Sequence, residues 1–140
     1  IVRKVTSMGN RNVLVTERGT SFGHGDLVVD MRGLAEMARE DTPVIFDITH
    51  STQLPGAAGT HSGGRRAYAA VLARAAVGAG VAGLFLEVHP DPASARCDAD
   101  IQVDPGQLED ILRQALALDA ARRASAGDVA RALPTPGEEL

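Results

Sequence analysis

A single cysteine, Cys97, is all the chain contains, so an internal disulfide is excluded and a reducing, cytoplasmic compartment is expected. The opening stretch IVRKVTSMGN has none of the apolar core of a secretory signal. Lysine and arginine are scattered along a chain of net charge -4 rather than gathered into a patch, so no nucleic-acid partner is expected. A Gly-x-x-x-x-Gly-Lys loop is missing, which argues against a P-loop nucleotide site. No internal repeat is evident. The one apolar run of membrane-spanning length, residues 69–88, is interrupted by Arg74, Gly78, Gly80 and Gly83. It reads as helix, turn and buried strand, and no membrane partner is expected. The first residue is Ile1 rather than methionine, and 140 residues fall short of the roughly 250 of a complete eight-stranded parallel barrel. The sequence therefore reads as a fragment or a processed product.

What is present is a recurrence. Three strand-like runs each deliver polar residues at their C-terminal ends: VLVTERG over 13–19, PVIFDITH over 43–50 and GLFLEVHPDP over 83–92, followed closely by RCDAD over 96–100. Helical patterns lie around them. A helix end over 1–8 is closed by Gly9 and Asn10. A second helix covers 31–39, with Leu34, Met37 and Ala38 on one face. A third, over 64–77, carries Tyr68, Val71, Leu72 and Ala75 at helical spacing. The last opens at Asp104, Pro105, Gly106 and Gln107, a capped start. Its apolar stripe is Leu108, Ile111, Leu112, Ala115 and Leu116. Segments 20–30 and 51–64 read as glycine-rich loops, the second of them mobile. Strand 84–88 meets no polar residue before Glu87, which predicts burial on both faces. From residue 124 the pattern dissolves. The expectation is a parallel α/β unit over 1–123, part of a barrel, with a flexible tail over 124–140.

The polar residues at the strand ends are candidates for chemistry. His50 precedes a glycine-rich loop and is either a metal ligand or a strand-end histidine bonded to backbone. Glu87 ends an apolar strand, where a carboxylate is costly unless paired or metal-bound. Asp98 lies in a polar stretch and gains interest from the nearness of Glu87 and His89. Together they make a mixed N/O donor set for a divalent transition metal. Arg18 is either a phosphate- or carboxylate-binding guanidinium or part of a salt bridge on the rim. Ser62, with Gly63, Gly64, Arg65 and Arg66, makes a helix start that suits a phosphate or is plain capping beside two solvated arginines. His24 and His61 read as surface groups, and His89 and Asp91 as turn formers. Cys97 reads as a small buried side chain, with thiol ligand or nucleophile as the alternative.

In combination, the blocks TERGTSFG, DLVVDMRGL, PVIFDITHSTQLPG, SGGRR, AGLFLEVHPDP and RCD resemble the 3-deoxy-D-manno-octulosonate 8-phosphate synthase family over residues 13–114. The resemblance implies a (β/α)8 TIM barrel, of which this chain holds strands six to eight. It also implies an aldol-like condensation of phosphoenolpyruvate with arabinose 5-phosphate that releases phosphate, in lipopolysaccharide biosynthesis. Carried over by motif, Arg18 holds the phosphate of phosphoenolpyruvate. His50, Glu87 and Asp98 are the catalytic cluster and, in metal-dependent members, ligands for a divalent metal such as Zn, Fe or Mn. Gln53 lies in the same cluster. Ser62 reaches the sugar phosphate, in the family from a neighbouring subunit of a homo-oligomer, a tetramer. The family's fourth metal position, Cys or Asn, lies on a first strand that these residues do not include. Two readings compete: the related heptulosonate-phosphate synthases, and a non-catalytic half-barrel that binds phosphorylated metabolites.

Overall fold

The computed structural model describes residues 1–21, 25–39, 42–56 and 63–125. A first short helix, α1 (Val2–Ser7), ends where Gly9 takes φ +92° and donates its N–H to Thr6. β1 (Val15–Glu17) follows. β2 (Thr20–Ser21) and β3 (Leu27–Val28) then pair antiparallel, so the segment expected as plain loop contains a small ladder. Asp30 caps α2 (Met31–Ala38) by accepting from the N–H of Arg32 at 3.0 Å. β4 (Val44–Asp47) leads into a 3-10 turn at His50–Thr52. β5 (Gln53–Leu54) then pairs antiparallel with β6 (Gly63–Gly64), a second hairpin inside an expected loop. A 3-10 turn at Arg66–Tyr68 opens α3 (Ala69–Ala79), which Gly80 ends in the left-handed conformation. β7 (Gly83–Phe85) follows, and α4 (Pro105–Ala124) completes the described chain. The expected capping box holds: Gln107 N–H donates to Asp104 at 2.9 Å, and Asp104 N–H donates to the Gln107 side chain at 3.2 Å.

The central sheet is parallel, in the order β1-β4-β7, with Val15 opposite Val44 and Ile45 opposite Gly83. The strand–helix alternation thus gives the parallel α/β arrangement it predicted. β4 is the middle strand, and Val44, Phe46 and Ile48 on and just after it are essentially inaccessible. Leu34 of α2, three alanines of α3, Val103 and Ile111 close around them. Burying a side chain the size of Phe46 contributes about 1.5–3 kcal/mol, so β4 is the element that the others pack on. Among the described residues no helix is long and apolar enough to cross a membrane.

Three sequence expectations are corrected. The third strand is Gly83–Phe85 rather than 84–88, and it is not buried on both faces. It is an edge of this sheet, so Phe85 and Val88 keep 44% and 40% of their surface exposed. Beyond it an isolated parallel bridge joins Val88 to Val103. The packed face of α3 is not the bulky one. Tyr68, Val71 and Ala75 face outward, while Ala69, Ala73, Ala76 and Val77 are buried and Leu72 is half-buried. The alanines join the core cluster, and small residues let α3 pack closely with its neighbours α2 and α4, so bulk is a poor guide to such a seam. On α4 the buried line is Ile111 and Ala115, with Leu108 beside it, and Leu112 and Leu116 are exposed. A helix docking on a single neighbouring helix buries a narrow stripe, not the full apolar arc. Ser62, His24, His61 and the tail beyond Ser125 lie outside the described residues.

Gly64 and Gly78 make a paired test of this packing. A Cβ on Gly64 would overlap the Cγ2 of buried Ile101 and sit 3.0 Å from the carbonyl oxygen of Asp100, whereas one on Gly78 meets nothing. Gly64→Ala is expected to cost about 1–3 kcal/mol, and Gly78→Ala to add about 0.5–1 kcal/mol by improving helix propensity. Urea midpoints moving in opposite directions are the expected result. A Gly64→Ala midpoint at the wild-type value would show that β6 does not press on Ile101.

Candidate active site

The site begins with a buried carboxylate. Asp47 is the last residue of β4 and is 6% exposed. Its Oδ1 accepts from the backbone N–H of His50 at 2.9 Å and from the hydroxyl of Thr49 at 3.2 Å. Its Oδ2 lies 2.7 Å from Nδ1 of the His50 ring. The chain folds back on itself here because one carboxylate satisfies three groups of the next three residues, an Asx-type local structure. Ser51 adds a bond to the Asp47 carbonyl at 2.6 Å. The consequence is a fixed imidazole. A carboxylate only accepts, so Nδ1 carries a hydrogen and Nε2 is the ring nitrogen turned to the rim. The ring also stacks near Phe85, centroids 6.1 Å apart.

Thr49 ties the next strand end in. Its hydroxyl accepts from the N–H of Glu87 at 3.2 Å, so Glu87 is held in register with the β4 end. Glu87 Oε1 lies 3.5 Å from His50 Nε2. The carbonyl of Glu87 accepts from Val103, and the N–H groups of Ile101 and Gln102 both donate to the carbonyl of Asp98. This lacing turns the 96–103 segment back toward the sheet. Asp98 itself adopts φ +53°, a left-handed conformation that costs energy for any residue but glycine. His50, Glu87 and Asp98 each offer an atom within 4.8 Å of the others. The three residues picked from separate stretches of sequence therefore share one rim.

Arg18 joins them through Gln53. The guanidinium of Arg18 donates to Gln53 Oε1, and Gln53 Nε2 donates to Asp98 Oδ1 at 2.8 Å. Beside β1, the carboxylate of Glu17 takes the N–H of Gly19, whose φ of +84° makes the turn out of the strand. At the start of α3 the two arginines have protein partners, while Ser62 lies outside the described residues. Arg65 pairs with Asp26 at 2.9 Å, and Arg66 donates to the carbonyl of Ala99 at 3.2 Å. His89 stays out of the cluster: its Nδ1 accepts from the N–H of Asp91 and shapes the turn, as expected of that pair.

Cys97 is exposed, which corrects its reading as a buried small side chain. Hydrogen bonding to Asp98, then some loss of solvation, then the negative charges of Asp98 and Glu87 push its thiol above the ordinary range. A thiol held protonated in this way is a poor nucleophile. Sequence reasoning missed Asp47 and Thr49. The motif Asp-x-Thr-His carried the signal: an aspartate followed at two and three residues by Thr and His on a strand end is a local hydrogen-bonding pattern that can orient the imidazole.

The profile of the DAHP synthetase I family matches residues 1–123. Among curated relatives, a 2-dehydro-3-deoxyphosphooctonate aldolase of Syntrophotalea carbinolica is 56% identical over 119 residues, which is 85% of this chain and 43% of the relative. The enzyme of the same name from a Bradyrhizobium species is 52% identical over 132 residues, 94% of this chain and 46% of that protein. That from Magnetococcus marinus is 53% identical over 123 residues, 88% and 43% respectively. The chain thus spans a little under half the length of these relatives. With the family profile covering all of α1 to α4 except the last residue of α4, the chain belongs to the DAHP synthetase I family.

Proposed function

We propose that this chain is the C-terminal half of a 3-deoxy-D-manno-octulosonate 8-phosphate synthase, comprising strands six to eight of a (β/α)8 barrel, and that it works in the cytoplasm on phosphoenolpyruvate and arabinose 5-phosphate. The observation that carries the reading is the convergence of His50, Glu87 and Asp98 on one rim, linked through Gln53 to Arg18. Relatives at 52–56% identity bear the matching name, and they are about twice as long. In the proposed reaction, carbon three of phosphoenolpyruvate attacks the sugar aldehyde, water adds at carbon two, and the C–O bond to phosphate breaks to release inorganic phosphate. Arg18 binds the phosphate and stabilises its charge as that bond breaks. His50, Glu87 and Asp98 hold the reacting centre at the aldehyde end. By the resemblance alone, Ser62, which lies outside the described residues, is assigned to the sugar phosphate of a neighbouring subunit in a homotetramer.

The donor set fits a divalent transition metal. Imidazole plus two carboxylates is the N/O mixture that Zn, Fe or Mn accepts. The bond from His50 Nδ1 to Asp47 is the outer support that metal-bound histidines use. Such a metal, when bound, supplies Lewis-acid polarisation of an oxygen. His50 Nε2, one oxygen of Glu87 and one of Asp98 would hold it. The family's own name keeps the heptulosonate reaction as the second reading, with erythrose 4-phosphate as the sugar.

The direct test is a full-length enzyme carrying these residues, supplied with phosphoenolpyruvate and either sugar. Octulosonate phosphate from arabinose 5-phosphate, and little product from erythrose 4-phosphate, is expected; the reverse preference transfers the chain to the second reading. The 140-residue chain alone is expected to give no turnover, because β1 and β7 are open edges and the rim is one-sided. Octulosonate phosphate formed by it would contradict that. Asp47→Asn exchanges an acceptor for an amide that can donate to Nδ1, which moves the ring hydrogen to Nε2. Mn2+ or Zn2+ affinity measured by calorimetry should fall about 10–100-fold; an unchanged affinity with intact circular dichroism removes Asp47 as the orienting group. Cys97 reports on the same cluster. Its raised thiol should alkylate with iodoacetamide more slowly at pH 8 than a free cysteine, and Asp98→Asn, by removing the negative charge and leaving only a weaker amide acceptor, should speed the reaction. Equal rates in both proteins would mean that Asp98 does not act on the thiol.

A further inference from the structure

Gln53 occupies an unusual position in this rim. It is half-buried, on the short strand β5, and its side-chain amide touches a cation with one end and an anion with the other. The amide orientation is dictated by chemistry: a guanidinium can only donate and a carboxylate only accept, so Oε1 must face Arg18 and Nε2 must face Asp98. We propose that Gln53 is a positioning residue that couples the anion-binding end of the rim to its cation-binding end, setting the orientation of Arg18 and of Asp98 at once. This rests on the functional reading above and adds to it a role that neither ligand group can perform alone.

Three features of the bridge support the coupling. First, a chain of charge-assisted hydrogen bonds polarises along its length: Asp98 draws the Nε2 hydrogens, which makes Oε1 a better acceptor for Arg18. Second, the bridge spans elements that are remote in sequence. Arg18 leaves β1, Gln53 is on β5 and Asp98 sits in the segment after β7 with a left-handed backbone. Third, β5 is itself fixed. It pairs with β6, and the N–H of Arg65 just beyond β6 donates to the carbonyl of Thr52 at 2.8 Å. The amide is therefore carried on a braced hairpin and not on a free loop. A neutral bridge also keeps opposite charges apart. Direct pairing of Arg18 with Asp98 would consume the groups that an anion and a cation need.

Two substitutions in the full-length enzyme separate this from a plain packing role. Gln53→Met keeps length and removes both hydrogen bonds. Gln53→Glu keeps the acceptor for Arg18, places a second carboxylate against Asp98 and cannot donate to it. Calorimetric titration with inorganic phosphate, and separately with Mn2+, is the readout. Gln53→Met is expected to weaken both ligands, each about tenfold. Gln53→Glu is expected to split them: phosphate weakens further because the introduced carboxylate neutralises Arg18, while Mn2+ binds as tightly as in the wild type or more tightly because a carboxylate is added. In a double-mutant cycle, the effect of Asp98→Ala on phosphate affinity should differ by roughly threefold or more between the wild-type and Gln53→Met backgrounds. A Gln53→Met protein that loses only one ligand, a Gln53→Glu protein that moves both ligands in the same direction, or an additive cycle would overturn the coupling. A wild-type enzyme that binds neither probe would remove the functional reading, and the coupling with it. Wild-type binding of both with no response to Gln53 substitution removes the coupling alone.

Discussion

The site depends on one buried carboxylate. Asp47 sits at the end of the best-packed strand and is almost sealed from water. Burying a carboxylate without partners costs several kcal/mol. Here it holds the Thr49 hydroxyl, the His50 N–H and the His50 ring. Satisfying Asp47 therefore dictates the path of the chain for three residues and the tautomer of the imidazole. Thr49 passes the constraint onward, since the hydroxyl that donates to Asp47 also accepts from Glu87 N–H. Two of the three rim donors are set by one group whose own position is fixed by the core strand beneath it.

The third donor is positioned differently. Asp98 lies in a segment with little regular structure, and it is held by backbone bonds from Ile101 and Gln102 and by the side chain of Gln53. Its left-handed backbone is retained because Ile101 and Val103, both buried, anchor the chain just after it. Strain of this kind persists when the surroundings over-determine it, and it gathers at sites that must present a group in one orientation. The rim thus combines a rigid side, built on β4, with a braced side, built from the 96–103 segment and the β5–β6 hairpin.

How much of this the sequence carried follows from the range of the interactions. Strand β4 and the capped start of α4 were legible because their signals are local: a β-branched run after Pro43, and an Asp with Gln three residues on. The residues His50, Glu87 and Asp98 were legible as strand-end or near-strand polar groups, and their common rim followed once the strands were taken as parallel. The face of α3 was not legible. Tyr68 and Val71 outweigh alanine in any hydrophobic count, yet it is Ala69, Ala73 and Ala76 that are buried in the core. The short hairpins were hidden too. Two-residue ladders between Thr20–Ser21 and Leu27–Val28, and between Gln53–Leu54 and Gly63–Gly64, carry no periodicity for a pattern to reveal. Asp47 was not singled out because its burial and its three local bonds exist only once the chain turns back on it at the end of β4.

The balance of charge explains why an amide, and not a salt bridge, joins the two ends of the rim. Asp47, Glu87 and Asp98 concentrate negative charge around His50, which favours a cation there and repels an anion. Arg18 must offset that repulsion if a phosphate is to bind nearby, so its positive charge has to remain available. Its bond to Gln53 uses one N–H of Nη2, out of five guanidinium N–H donors. A direct carboxylate pairing would take two in the fork geometry and cancel the charge as well. Gln53 fixes the direction of the guanidinium while leaving its charge and most of its donors for an incoming phosphate. The same amide binds Asp98 through one oxygen alone. An uncharged bridge is thus the arrangement that keeps an anion site and a cation site within reach of one another without each neutralising the other.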